Sequence, residues 1–473
     1  MTDKNISELP VAIRIFPETA KSEKPARKKR PWSIPEAMLV FDTETRTDAA
    51  QRLTFGSYRF VLRGETVEEG LFHGDDLPDK DRKTLEQYVA EHRPNPRLKE
   101  GPKLLLMSRS AFVERFYLAA YKGRCLVIAF NITFDLSRIG CDFTDARGQF
   151  AGGFSLGLWV YIDPSGVERS DKFRPRVGVK HIDSKRALKG FTARNAPDLS
   201  DLIPEESTTG KPRKGYIFRG HFLDLRTLVF ALTDRGYTLE DACIEYGVEH
   251  GKATALEHGI VTPEYIDYNR RDVLATYELA QKLIVEYQKH PISLQITRAY
   301  SPASIGKSYL RDMGIEPILV RQPDFPKEYL GYAASAFYGG RTSAHIRKVP
   351  VPVVYTDFLS MYTTVNTLMG LWRFVIAGEI RIVEPCVDEI EKFLKTLTNS
   401  KPLFNPSTWK RIIGFVRVIP NGDVLPSRSK YSAETNDWQV AVNHVYGIDE
   451  NPRNALWYSL PDIVASVLSL KNS

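Results

Sequence analysis

Three short runs in this chain place carboxylates, a phenol and an amide at spacings that suit metal-assisted phosphoester chemistry. In Asp42-Thr43-Glu44 an extended backbone alternates its side chains, so Asp42 and Glu44 share a face. Two hard oxygen ligands so placed can hold Mg²⁺ or Mn²⁺ beside a phosphate. Asn131-Ile132-Thr133-Phe134-Asp135 adds a third carboxylate, with a ring to stack on a base and an amide to reach a sugar or base edge. In Tyr268-Asn269-Arg270-Arg271-Asp272 the phenol and the fourth carboxylate are four residues apart, which on a helix puts them on one face. Singly, each run is commonplace: Asp-x-Glu arises by chance, and Asn or Asp often caps a helix.

The elements around these runs give them their force. Met38–Phe41 is a short apolar run suited to a buried strand, so Asp42 and Glu44 fall at a strand end. Leu53–Leu62 and Thr66–His73 read as strand, turn and strand, and Ser108–Lys122 as an amphipathic helix. Cys125–Phe130 is another buried-type strand that runs into Asn131, placing Asp135 at a strand-to-helix junction where ligands gather in open α/β sheets. Further strands are predicted at Phe154–Ile162 and Arg176–Ile182. Phe222–Leu232 passes from strand to helix, and helices are predicted at Leu239–Tyr246 and Pro263–His290. Alternating strands and helices over 36–290 imply an α/β domain on a mixed sheet with flanking helices.

In order, residue type and setting, the three runs resemble the Exo I, Exo II and Exo III motifs of DEDDy proofreading exonucleases. These are found in family B DNA polymerases, where Exo III has the Tyr-x-x-x-Asp form. The resemblance implies a ribonuclease H-like 3′→5′ exonuclease domain over 36–290. It implies that Asp42, Glu44, Asp135 and Asp272 hold two Mg²⁺ or Mn²⁺ ions, that Tyr268 orients the attacking water, and that Thr43, Asn131 and Phe134 grip the frayed 3′ end. Two metals about 3.5–4 Å apart stabilise the entering and departing oxygens of such a displacement.

A second constellation lies downstream. Phe337-Tyr338-Gly339-Gly340-Arg341 joins glycines that permit close backbone approach to a plausible phosphate contact. Val351–Tyr355 suits a strand, though Pro350 and Pro352 keep its first residues out of a central ladder. Asp357-Phe358-Leu359-Ser360-Met361-Tyr362 follows, and it resembles motif A of family B polymerases. That resemblance implies a metal ligand at Asp357 and a ring at Tyr362 that discriminates against a 2′-hydroxyl; Met361 and Thr363 depart from the usual Leu and Pro. Phe337–Arg341 is similar to the Tyr-x-Gly-Gly element between the two domains, with Phe337 where Tyr is usual, which implies DNA contacts at Tyr338, Gly339, Gly340 and Arg341. The glycine pair resembles the protein-primed branch, for which a terminal protein would be a partner. Residues 291–473 are therefore expected to be a linker and an incomplete α+β palm. No Lys-x-x-x-Asn-Ser-x-Tyr-Gly run occurs, and no Asp-Thr-Asp follows Tyr362. The chain is thus expected not to polymerise alone, unless a second chain supplies those parts.

Composition sets the remaining bounds. The formal charge of +7 is concentrated in residues 1–30, where eight Lys or Arg face four Asp or Glu. Five prolines and many charges over 1–35 imply a basic flexible leader. Cys125, Cys141, Cys243 and Cys386 lack the spacing of a zinc or disulfide framework, no apolar run reaches the roughly 18 residues of a membrane span, and no secretory signal is visible. A cytoplasmic protein of a bacterial, phage or plasmid replicon is the expectation. Asp183 and Asp224 follow strand-like sequence and could support the site; Lys211, Arg213, Lys214 and Arg219 form a basic stretch that could track DNA. Besides the nuclease, two other classes fit: a non-catalytic DNA-binding remnant, and an unrelated DnaQ-like nuclease with an accessory domain.

Overall fold

The structure, a computed structural model, describes residues 12–18, 32–94, 103–166, 168–171, 174–192, 202–203, 216–251, 259–338, 346, 348–384, 386–426, 442–446 and 456–471. Contacts divide the chain into two compact units: Lys28–Met313, and Met1–Arg27 together with Gly314–Ser473.

The larger unit is built on a mixed six-stranded sheet. Its strands are β1 (Ala37–Thr45), β2 (Leu53–Leu62), β3 (Glu65–His73), β4 (Leu105–Ser108), β5 (Leu126–Ala129) and β6 (His221–Asp224), in the spatial order β6-β5-β1-β2-β3-β4. The consecutive strands β1, β2 and β3 form an antiparallel meander, as their short turns require. β5 and β6 run parallel to β1, and β4 runs parallel to β3. Alternation along β1 feeds two cores. Leu39 and Phe41 pack with Phe112, Phe116 and Leu136, and Val40 packs with Ile128, Leu228, Leu279 and Leu283. Each such side chain, fully buried, contributes about 1.5–3 kcal/mol.

The covering helices are α1 (Asp79–Glu91), α2 (Arg109–Phe116), α3 (Ile132–Arg138), α4 (Leu225–Thr233), α5 (Leu239–Glu245), α6 (Pro263–Gln288) and α7 (Pro302–Asp312). α6 begins with Thr262 accepting from the Tyr265 N–H and with Pro263 at its first turn, where the missing donor costs nothing. The single helix predicted over Ser108–Lys122 is α2 followed by a π-helical turn, Tyr117–Lys122. A smaller antiparallel sheet orders Ala187–Phe191, Val177–His181, Phe154–Gly157 and Asp142–Asp145.

The boundary expected near residue 290 differs from the observed one at Met313. Ile296, Ala299 and Ile305 are buried with the α4 and α6 residues, and Asp312 accepts from the Ser293 N–H and hydroxyl. That stretch therefore belongs to the larger unit.

The smaller unit carries an antiparallel sheet in the order Glu379–Val383, Ala12–Glu18, Phe415–Val418 and Leu456–Ser459. Ala12–Glu18 lies inside the stretch expected to be a flexible leader. Strands on both of its sides give its backbone groups partners that composition does not reveal. Helices Val387–Thr396 and Leu460–Lys471 pack Ile390, Phe393, Ile463 and Val464 into one core with Val416.

Two expectations fail here. Val351–Tyr355 is not a strand, and Val354 and Tyr355 are 89% and 93% exposed. Pro350 and Pro352 lack donors, and no described strand offers this run a ladder. The sequence also predicts a hairpin of Gly414–Ile419 and Asp423–Leu425 around the turn pair Asn421-Gly422, and it does not form either. Phe415–Val418 pairs elsewhere, and Asn421–Pro426 pairs with Val442–Tyr446 through a register shift. Gly422, at φ 78, serves that irregularity instead of a two-residue turn. Among the described residues, no helix is long and apolar enough to cross a membrane.

Candidate metal and nucleic-acid site

Three adjacent parallel strands, β6, β5 and β1, end on the same edge of the sheet and deliver their acids there: Asp224, the Asn131–Asp135 run, and Asp42 with Glu44. Ligands of open α/β sheets gather at such carboxyl ends. Opposite Thr43 in the register stands Gly56, where a Cβ would lie 2.5 Å from the Asp42 carbonyl and 2.4 Å from the Phe72 ring. A side chain there would force the first two acids out of place.

Asp42 and Glu44 both face α6, as alternation predicts. The Asn269 amide donates to Asp42 Oδ2 at 2.7 Å and to Glu44 Oε1 at 3.3 Å, and Tyr265 donates its hydroxyl to Glu44 Oε2. Thr43 points the other way. Its N–H and hydroxyl donate to Asp135 Oδ1 at 3.2 Å and 2.7 Å. Tyr268 hydrogen-bonds with the Asp272 carboxylate one turn on and feels the charges of Glu44 and Asp42. The predicted carboxylates and the tyrosine thus fall into three hydrogen-bonded groups, Asp42 and Glu44 through Asn269, Asp135 with Thr43, and Asp272 with Tyr268, with the Glu44 charge felt by both Asp135 and Tyr268.

α6 is itself held in place. Arg270 donates to Glu69 Oε1 at 2.8 Å and to the Tyr88 hydroxyl at 2.8 Å, pinning the helix to β3 and α1. Burial costs the acids. Asp135 is 2% exposed and Asp272 is 5% exposed. Desolvation pushes the Asp135 carboxyl up to about 7, with Asp224 and Glu44 adding to the rise and the Thr43 hydrogen bonds opposing it. Burial and the neighbouring carboxylates also raise the Tyr268 phenol, so it stays protonated near neutral pH.

Among the described residues, the one group of three ligand atoms within 4.8 Å of one another is Glu249, His250 and Glu278, on an exposed part of the surface. The four carboxylates are spaced by the amide and hydroxyl groups between them. They do not bring three ligand atoms within 4.8 Å of one another, and their all-oxygen donors are of the type that a hard divalent cation takes.

The remaining predicted residues fall elsewhere. Asn131 begins α3, and Phe134 lies under the Arg138 guanidinium at 4.7 Å. Asp224 forms a buried ion pair with Lys189 at 3.3 Å and caps α4 through Thr227. Asp183 is an exposed partner of Arg186, and Arg219 donates to the Phe191 carbonyl at 2.8 Å. In the smaller unit Tyr338 stacks on Tyr458, with centroids 5.2 Å apart. Asp357 is exposed and joins no ligand-like group among the described residues, and Tyr362 stands exposed at the start of the helix Met361–Leu368. Gly339, Gly340 and Arg341, and likewise Lys211, Arg213 and Lys214, lie outside the described residues.

No family model, curated protein or solved structure matches this chain. Sequence reasoning missed Asn269 and Tyr265 as site residues. The available signal was positional: both share the helical face of Tyr268 and Asp272 at spacings of three to four residues. Lys189 gave none, since only the fold brings it to Asp224.

Proposed function

We propose that the unit Lys28–Met313 is a two-metal 3′→5′ DNA exonuclease with a ribonuclease H-like fold, the proofreading part of a family B DNA polymerase. The observation that supports this reading is the placement of Asp42 and Glu44 on Asn269, Asp135 on Thr43 and Asp272 on Tyr268, with the Glu44 charge felt by both Asp135 and Tyr268. A mixed sheet with flanking helices, acids at its carboxyl edge, supports it.

Asp42, Glu44, Asp135 and Asp272 would hold Mg²⁺ or Mn²⁺, which when bound stabilises the entering and departing oxygens of the phosphodiester and helps ionise water. Asn269 fixes the Asp42 and Glu44 carboxylates before any substrate arrives. Thr43 does the same for Asp135. The raised pKa of Tyr268 leaves its hydroxyl a hydrogen-bonding group that orients water; it is not the base. In the same reading Asp357 and Tyr362 belong to a polymerase region that needs further parts, from this or a second chain.

The test is a 5′-labelled single strand incubated with the chain and Mg²⁺ or Mn²⁺, beside Asp42→Ala/Glu44→Ala. Stepwise loss from the 3′ end, absent in the double variant and after chelation, is the expected result. Binding without shortening would leave a DNA-binding remnant. No primer extension with deoxynucleotides is expected, and extension abolished by Asp357→Ala would overturn that part.

A further inference from the structure

The turn 246–251, which follows α5, brings an imidazole and a carboxylate against α6. Glu249 and His250 are exposed on the turn, and Glu278 of α6 lies half-buried opposite them. One oxygen of each glutamate and one nitrogen of the imidazole lie within 4.8 Å of one another. His250 Nδ1 is 2.6 Å from Glu278 Oε1, and the His250 N–H donates to Glu278 Oε2 at 3.1 Å. An imidazole nitrogen beside two carboxylate oxygens is a ligand set for zinc, which takes three protein ligands and a water. Magnesium prefers oxygen alone.

The turn is fixed from both sides. Towards α5, the Val248 N–H donates to the Cys243 carbonyl at 2.9 Å, and Gly247, at φ 60, makes the left-handed step that ends the helix. Towards α6, Arg271 Nε donates to the His250 and Gly251 carbonyls at 3.0 Å and 3.1 Å. Arg271 and Glu278 share a face of α6, so one grips the backbone of the turn and the other its imidazole. This leaves the charges unbalanced. Arg271 is committed to carbonyls, and among the described residues Glu249 has neither a hydrogen bond nor an ion pair. Two carboxylates are thus held close with no lysine or arginine paired to either among the described residues, a repulsion that a divalent cation relieves.

We propose that Glu249, His250 and Glu278 bind one zinc ion, which clips the turn 246–251 to α6. The inference goes beyond the nuclease reading and does not depend on it. A tetrahedral zinc with bonds of about 2.0–2.1 Å sets its ligand atoms roughly 3.3 Å apart, so His250 and Glu278 need to part by less than about 1 Å. The ion takes the place of the proton between the ring and the carboxylate. Because Glu249 and His250 face solvent, the fourth position is open to water. The ion joins residues on two elements that the unfolded chain holds apart, so binding it stabilises the folded state.

The experiment titrates Zn²⁺ against a chromogenic zinc indicator in the full chain carrying Asp42→Ala/Glu44→Ala, so that those carboxylates take no ion. Glu249→Ala and His250→Ala are each expected to weaken binding by at least the ~10–100-fold that disturbing a metal ligand's surroundings costs. Glu249→Ala is decisive, since Glu249 holds nothing else and its loss leaves the turn intact. Zinc should also raise the melting temperature of the parent and not that of Glu249→Ala. Glu245→Ala, which removes an exposed carboxylate on α5 outside the group, is the control for general charge. An equal Kd in the parent and Glu249→Ala, or an equal loss in Glu245→Ala, marks an adventitious ion only and overturns the proposal. If the parent with both alanines melts early, the comparison moves to the unsubstituted chain. There Glu249→Ala must lower the number of bound zinc ions by one, and an unchanged number is fatal.

Discussion

Asn269 keeps two carboxylates side by side. It is 0% exposed, and its amide reaches both Asp42 and Glu44. Asn269→Ala leaves both acids without that donor in a buried setting, at a cost of about 1–3 kcal/mol. On the proposed nuclease reading it should also slow 3′ trimming by ~10²-fold, the scale of a misplaced reacting group. A chemical denaturation curve and a trimming assay on the same variant check both, and wild-type trimming would remove Asn269 from the site. His221 gives the residue scale its pH dependence. Burial and the charges of Arg124 and Arg298 hold its pKa below the usual 6.5. The unfolded chain therefore binds more protons than the folded one in that window, and stability rises with pH. The contribution is complete above about pH 6.5 and is lost as pH falls toward the lowered folded value. His221→Phe, which keeps a ring against Trp32 and Phe218, should flatten the urea midpoint between about pH 5 and 7. An unchanged slope would show that another group carries it.

Between elements, the Lys189–Asp224 pair ties the strand Ala187–Phe191 to the end of β6. Both side chains are almost wholly buried, and Asp224 also caps α4. Removing the cation alone strands a carboxylate in a dry place. Lys189→Met is thus expected to cost about 3–5 kcal/mol, while Lys189→Met/Asp224→Asn should recover most of it, since Asn still caps the helix. Urea unfolding of the two variants decides it; a double variant no better than the single one would mean that the ion pair is not the point. The helices themselves were largely visible in advance. Pro263–Gln288 and Leu239–Glu245 end within two residues of their predicted limits, because apolar spacing and Thr caps are local signals. Asp79–Glu91 went unpredicted. Its buried residues, Leu85 and Tyr88, are too few to set a clear period.

At the scale of the molecule, the larger unit keeps residues that a boundary at 290 would discard. Ile296 and Ile305 are buried in the core with α4 and α6, and each aliphatic lost from such a core costs about 2–5 kcal/mol. A fragment 28–313 should melt cooperatively and well above a fragment 36–290; equal melting points would place the boundary at 290 after all. What the sequence alone determined is the set of local facts: four acids at strand ends and on a helix, the strands that precede them, and the face that Tyr268 and Asp272 share. These follow from backbone periods of two and 3.6 residues, which need no partner to be read. What the tertiary structure decided is which distant groups meet. Asn269 on Asp42, Thr43 on Asp135 and Lys189 on Asp224 are contacts across many residues, and periodicity carries no information about them. The same reason explains the failures: whether Val351–Tyr355 joins a sheet, or Ala12–Glu18 does, depends on neighbouring strands drawn from elsewhere in the chain.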